Sequence, residues 1–344
     1  MRFVCLFFLL ACCGISQAQP TLPADYGLKA FTINDKTLGN IHFYVSSKGI
    51  QTTKPVLLVL DGSGHYPMAV MVFLRKGSFV CNSFDTQLLT LADKFHVVLI
   101  SKPDVPFCDT VRIDRDSASP ADAVALLHPP AGYRQRAGLD WRAQAASRVI
   151  DYVYGHLPVD RSRIIAYGYS EGAQVVPKLS VLNKKITHCA SIAGSGLNQF
   201  YDFITDVRMK AAQGSISQQA AQQQVDSLFA QFAAIYAAPH ATDREWEDHS
   251  YQRWASFCTD IPLSNLVQLK IPIFMAAGSN DPHSPIYGLE YVRLEFLRLG
   301  KKNLTFRVYP TDHSFNEVKT VNGRDSVISH KAEMMQDLMN WIGM

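Results

Sequence analysis

The sequence predicts an α/β protein built on a mostly parallel, doubly wound sheet. Three observations carry this. The runs 55–60 and 95–100 are continuously apolar, which suits strands buried on both faces. Amphipathic helical stretches alternate with such runs along most of the chain. One block, residues 197–268, breaks the alternation with Gln- and Ala-rich helical periodicity, and it reads as an insertion.

The elements follow in order. Residues 31–45 read as two short strands with a turn around 35–40. The strand at 55–60 ends in Asp61-Gly62-Ser63-Gly64, and the strand at 95–100 follows. Residues 102–139 carry prolines and little periodicity, and read as a long loop with one helical turn. Trp141, Ala145, Val149, Tyr152 and Val153 then share one helical face, with Gln144, Arg148 and Asp151 opposite. A strand at 163–167, a helix at 171–182 and a strand at 186–193 precede the insertion. After it come a strand at 271–276, a helix at 286–299, a strand at 304–309 and a last helix at 330–341.

Composition bounds the classes. The 344 residues are 47% hydrophobic and 18% charged, a globular mix that excludes a disordered chain, a collagen or a coiled coil. Net charge is +3 with both signs interspersed and no Lys/Arg block, so no nucleic-acid partner is expected. At the N-terminus, Arg2 precedes an apolar run at 3–11, too short to cross a bilayer, and Ser16-Gln17-Ala18 supplies small residues for cleavage before Gln19. Residues 1–18 are therefore expected to be a signal peptide, and the protein to be periplasmic or secreted. Leu9-Leu10-Ala11-Cys12 loosely resembles a lipoprotein box, giving an anchor through Cys12 as the alternative. No later stretch has the length and apolarity of a membrane span.

Four cysteines lie beyond the leader: Cys81, Cys108, Cys189 and Cys258. None has ligand spacing, so no metal site is expected. Cys189 sits in an apolar run and reads as a buried free thiol. Cys81 precedes the 95–100 strand and Cys108 follows it, so a disulfide between them is expected above one sheet edge.

The chemistry centres on Gly168-Tyr169-Ser170-Glu171-Gly172, a G-x-S-x-G match with an apolar strand before it and a helix after it. That context is the one a nucleophile on a sharp turn requires. Asp281 follows the 271–276 strand and His313 follows the 304–309 strand, so both share the sheet edge of Ser170. His65 is a further candidate for lining the site. His96 reads as core, Asp312 as a loop residue, and His283 as a weaker competitor of His313.

In these features the chain resembles the α/β-hydrolase fold family over residues 28–344, with 19–344 as one domain. The resemblance implies Ser170 as nucleophile, His313 as general base and Asp281 as its orienter. It also implies an oxyanion hole from the Glu171 N–H and a second N–H in Asp61-Gly62-Ser63-Gly64. That loop begins Asp-Gly where the family commonly has His-Gly, leaving Gly62 and Ser63 as the candidates, with Ser63 preferred by position. The Glu171 carboxylate reads as a partner of the helix dipole.

The insertion at 197–268 stands where this family carries its lid. Its aromatics Phe200, Tyr201, Phe203, Phe229, Phe232, Tyr236, Trp246 and Trp254 either line an acyl pocket or form the lid's own core. No P-loop or dinucleotide fingerprint is present, and no cofactor is expected. The expected function is a serine hydrolase that cleaves carboxylic esters of small molecules through an acyl-enzyme. A peptidase or acyl-peptide hydrolase is the nearest alternative, and a non-catalytic binding protein the more distant one.

Overall fold

The computed structural model describes residues 21–321 and 324–343. The expected leader at 1–18, with Cys12, lies outside the described residues. From β1 (Leu28–Asp35) the chain turns back into β2 (Gly39–Ser46) and crosses to β3 (Lys54–Leu60). Next come β4 (Ala69–Phe73), β5 (Ser78–Asn82), β6 (His96–Ile100), β7 (Cys108–Arg112) and two short helices, α1 (Pro120–Val124) and α2 (Ala131–Arg136). The long helix α3 (Leu139–His156) leads to β8 (Val159–Tyr169), α4 (Glu171–Leu182) and β9 (His188–Ile192). A helical cap follows: α5 (Gln199–Ala212), α6 (Gln218–Ala237), the small pair β10 (Glu245–Trp246) and β11 (His249–Ser250), α7 (Tyr251–Thr259) and α8 (Pro262–Leu266). The chain closes with β12 (Ile273–Gly278), α9 (Ile286–Arg298), β13 (Leu304–Tyr309), the hairpin β14 (Asn316–Val321) and β15 (Arg324–Ser329), and α10 (Lys331–Ile342).

Eight strands form the main sheet in the order β1-β2-β6-β3-β8-β9-β12-β13. The first two junctions are antiparallel and the rest are parallel. Every residue of β3, β6 and β12 is buried, as strands covered on both faces must be. On one face Val149, Val153, Val176, Leu179 and Val292, from α3, α4 and α9, pack onto Leu58 and Ala166. On the other, Leu57, Val97 and Phe274 meet Met334 and Leu338 of α10. This is the α/β-hydrolase fold the sequence implied. Among the described residues no helix is long and apolar enough to cross a membrane.

The stretch expected to be a loop is partly ordered. β7 pairs in parallel with β4, and β4 in antiparallel with β5, making a three-stranded satellite sheet. Val70, Val72, Val111, Ile113, Ala123 and Leu127 give it a core of its own. This arrangement overturns the expected disulfide. Cys81 stands opposite Val70 on one side of β4, and Cys108 opposite Ala69 on the other. Two strand spacings hold them roughly 9–10 Å apart, beyond the ~7 Å that a disulfide tolerates. Cys81, Cys108, Cys189 and Cys258 are all free thiols, and Cys189 is fully buried.

Helix α4 contains Pro177, which has no N–H to offer the Ala173 carbonyl one turn back. The Ser191 hydroxyl of β9 donates to that carbonyl instead, at 3.0 Å.

Candidate active site

Ser170 sits between β8 and α4 with φ 55° and ψ −119°, a left-handed conformation that a side chain adopts only under constraint. Two close approaches supply the constraint. A Cβ on Gly168 would lie 2.1 Å from the Gly172 carbonyl oxygen, and one on Gly172 would lie 2.1 Å from that of Leu60. Only glycines allow the turn to fold back against β3. The first turn of α4 then leaves the Glu171 N–H without an intrahelical acceptor.

Asp281 and His313 follow the ends of β12 and β13. His313 Nε2 lies 3.0 Å from Ser170 Oγ, and His313 Nδ1 lies 2.6 Å from Asp281 Oδ2. Asp281 is almost wholly buried, and its other oxygen accepts the His283 and Ser284 N–H groups at 2.8 and 3.0 Å. The Tyr169 hydroxyl donates to the His313 carbonyl, fixing the loop that carries the imidazole. With Asp281 accepting from Nδ1–H, Nε2 is the ring's acceptor and faces the Ser170 hydroxyl. The three residues brought together are thus Ser170, His313 and Asp281.

The other candidates separate. Ser63 lines the cleft with Ser170 and Glu171, whereas Gly62 does not reach it; its carbonyl instead accepts from Arg142 at 3.4 Å. Asp312 accepts the Ser314 and Asn316 N–H groups, both at 2.9 Å, and so serves its loop. The His283 ring packs edge-on against His313 at 5.3 Å. His65 is not among the residues lining the cleft and bonds the Leu127 carbonyl at 3.2 Å. His96 is buried in β6, bonded to the Pro158 carbonyl at 3.0 Å.

Behind the site runs a buried chain of charges. Lys102 Nζ meets Asp61 at 2.6 Å, and Asp61 meets Arg142 at 2.7 Å. Arg142 meets Glu171 at 2.6 Å, and Glu171 pairs again with Arg253 of the cap. Arg253 also donates to Gln199 at 2.8 Å. Burial alone would raise the Glu171 pKa, but Arg253 and Arg142 outweigh it and hold the carboxyl at about 2. The Glu171 side chain is therefore more than a dipole partner: it joins the cap to the turn that carries Ser170. Arg142 also donates to the Asp61 carbonyl at 2.7 Å, pinning the loop that carries Ser63. The Asp61 carboxylate and carbonyl thus both accept from Arg142.

Sequence reasoning missed Arg142 and Arg253. Arg142 precedes Ala145, Ala146 and Val149 by three, four and seven positions, so it was a cation on the apolar face of an amphipathic helix. Arg253 left a fainter trace, an arginine beside Trp254 and four before Phe257; its guanidinium stacks on both rings, 4.3 and 4.6 Å from their centroids.

The cleft over Ser170 holds about 1160 Å³ and mixes apolar side chains such as Phe203, Leu228 and Trp246 with amides and carboxyls. Gln174, Gln231, Asp202, Asp206 and His249 line it beside Ser170. The Gln174 amide oxygen is buried without a hydrogen-bond partner among the described residues. Burial, with Arg253 adding to it, lowers the His249 pKa to about 3 and keeps the ring neutral. Of the insertion's aromatics only Phe203, Trp246 and Trp254 border the cleft. Phe200, Phe232 and Trp254 form the cap's core, while Tyr201, Phe229 and Tyr236 face solvent. Among the described residues no group of three His, Cys, Asp or Glu is placed to hold a metal ion.

Fold and site together define an α/β-hydrolase-fold protein with a Ser–His–Asp arrangement at the C-terminal edge of its sheet. Among solved structures it is similar to Porphyromonas gingivalis dipeptidyl peptidase 4, at 11% identity and TM-score 0.50, with 92% of this chain and 35% of that one covered. A dipeptidyl aminopeptidase IV candidate from Bacteroides ovatus gives 10%, 0.50, 92% and 35%. The Pyrococcus horikoshii acylaminoacyl peptidase gives 12%, 0.48, 92% and 41%. The chain thus spans about a third of the length of the first two. No protein-family model and no curated protein matches the sequence.

Proposed function

We propose that this protein is a serine hydrolase that cleaves amide bonds of small peptides or acyl-peptides through an acyl-enzyme. The observation that carries it is the hydrogen-bonded chain from Ser170 through His313 to Asp281. In this reading His313 Nε2 takes the Ser170 proton as Oγ bonds to the substrate carbonyl carbon. The N–H groups of Ser63 and Glu171 receive the oxyanion. Lys102, Arg142 and Arg253 compensate the buried carboxylates Asp61 and Glu171, so neither opposes the oxyanion with an unpaired negative charge. His313 then protonates the leaving amine, and water repeats the cycle on the acyl-enzyme.

The amides and carboxyls set into the cleft wall move peptides ahead of the esters expected from sequence, because Gln174, Gln231, Asp202 and Asp206 can pair with backbone amides. The named activities of the structural neighbours agree with this order. Activated esters remain convenient assay substrates, since the acylation step is the same. We also propose export, on residues 1–18.

A fluorophosphonate probe and a panel of p-nitrophenyl esters and aminoacyl or acyl-peptide anilides test the reading. Ser170→Ala is expected to abolish labelling and to lower turnover by roughly 10⁵–10⁶-fold while keeping the fold. Turnover at the wild-type rate in the variant would overturn it.

A further inference from the structure

A second cavity adjoins the first. It holds about 110 Å³ between the satellite sheet and the main sheet. Val70 of β4, Val124 of α1, Tyr167 of β8 and Met334 of α10 form its walls, with Phe84 and Leu88 from the connection into β6. It is the more apolar of the two spaces, since the cleft sets amides and carboxyls among its apolar side chains. Ser63 and Ser314 line both spaces. Ser63 is the candidate oxyanion donor and Ser314 directly follows His313, so the chamber meets the cleft where the acyl carbon would sit. Within it the Ser83 hydroxyl is buried with no hydrogen-bond partner among the described residues.

We propose that this chamber is the subsite for the apolar group on the acyl half of the substrate, a branched or cyclic aliphatic group. The inference rests on the reading of Ser170 as nucleophile and deepens it by sorting the substrate: the apolar acyl group enters the chamber and the polar remainder lies under the cap. Size sets the class. An apolar cavity of about 150 Å³ accepts benzene. The smaller space here suits about four or five carbons, the bulk of an isovaleryl chain or a proline ring. A longer straight chain meets the wall made by Val124 and by Met334, the latter buried between α10 and the main sheet. The satellite sheet, whose fold the sequence did not disclose, thereby acquires a role as one wall of the specificity site.

The test compares kcat/KM for p-nitrophenyl isovalerate with that for p-nitrophenyl acetate in the full chain and in two variants, with fluorophosphonate labelling of Ser170 and thermal unfolding measured in parallel. Val124 is half-buried at the end of a short helix, so substitutions there reach the chamber with little disturbance of the sheet. The wild type is expected to prefer isovalerate by about ten-fold or more. Val124→Trp fills the space and should lower that ratio by about ten-fold. Val124→Ala enlarges it and should shift the preference towards p-nitrophenyl octanoate. A ratio unchanged in variants that still label at Ser170 would overturn the subsite and leave the nucleophile standing. A wild type that neither labels nor turns over either ester removes the nucleophile, and the chamber's role with it.

Discussion

The cap and the satellite sheet are both additions to the main sheet, and both border the candidate site, yet they are built on different principles. The cap's core is aromatic: Phe200 stacks on Phe232 at 4.0 Å, and Trp246 leans on Trp254 at 5.1 Å. The satellite's core is aliphatic, drawn from Val70, Val72, Val111 and Ile113. The cap docks through a buried ion pair, Arg253 with Glu171, and turns a face of mixed polar and apolar side chains to the cleft. The satellite keeps its ion pairs outside, such as Arg75–Asp114 and Lys76–Asp116, and turns Val70 inward to the chamber. Exposed pairs of that kind contribute little, roughly 0–1 kcal/mol. A buried pair is different, because removing one partner strands a desolvated charge. The lesson is that the cap is positioned by charge and direction, and the satellite by apolar contact and backbone pairing.

The largest expected effect breaks the cap's anchor. Glu171→Gln leaves Arg142 and Arg253 facing an uncharged amide in the interior and is expected to cost about 3–5 kcal/mol, read by urea unfolding. The pH dependence has a definite sign. The Glu171 carboxyl ordinarily titrates near 4.5 and is held at about 2 in the fold, so its contribution is full above about 4.5 and is lost as pH falls towards 2. Wild-type stability should decline across that window, and the variant should decline less. Equal acid sensitivity in both proteins would remove Glu171 as a source of it.

A smaller effect sharpens the contrast between the two cores. Phe232→Ala opens the cap's stacked pair and is expected to cost about 3 kcal/mol. Hydrogen exchange should speed up in α5, α6 and α7 and stay unchanged in β4, β5 and β7, because the two cores share no residue. Exchange rising equally in both would mean that they unfold as one unit.

The smallest effect concerns the satellite's thiols. Treating purified, non-reduced protein with a reductant should leave its melting temperature where it was, since β4 stands between Cys81 and Cys108. A drop on reduction would mean that the satellite strands pair differently.

What was legible in the sequence follows from the same contrast. The turn at Ser170 announced itself through two glycines, and helix α4 was readable from its first residue to its last. Asp281 and His313 could be placed because each directly follows an apolar strand. The cap was visible as helical because its periodicity is local, although which of its aromatics would pack together was not. The satellite was hidden because β4 and β7 pair across 34 intervening residues, which include a strand of the main sheet. No window of sequence contains both partners. The disulfide expectation failed for the same reason: it judged distance along the chain and could not see the strand that separates the two thiols. Arg142 was readable in principle, as a charge on an apolar face, but its partners Asp61 and Glu171 lie 81 and 29 residues away.

The hydrogen bond from Ser191 to the carbonyl that Pro177 leaves open has a consequence for how this sequence can change over generations. With proline in place, losing the serine hydroxyl leaves a buried carbonyl without a donor. Replacing proline first, by alanine, restores an N–H within the helix that competes for the same acceptor, and the hydroxyl becomes dispensable. The two single steps are therefore unequal, although they lead to the same double replacement. One order crosses a dip in fitness and the other does not. Descendants of this chain should lose the proline before, or together with, the serine, so these two positions keep a record of the order in which they changed.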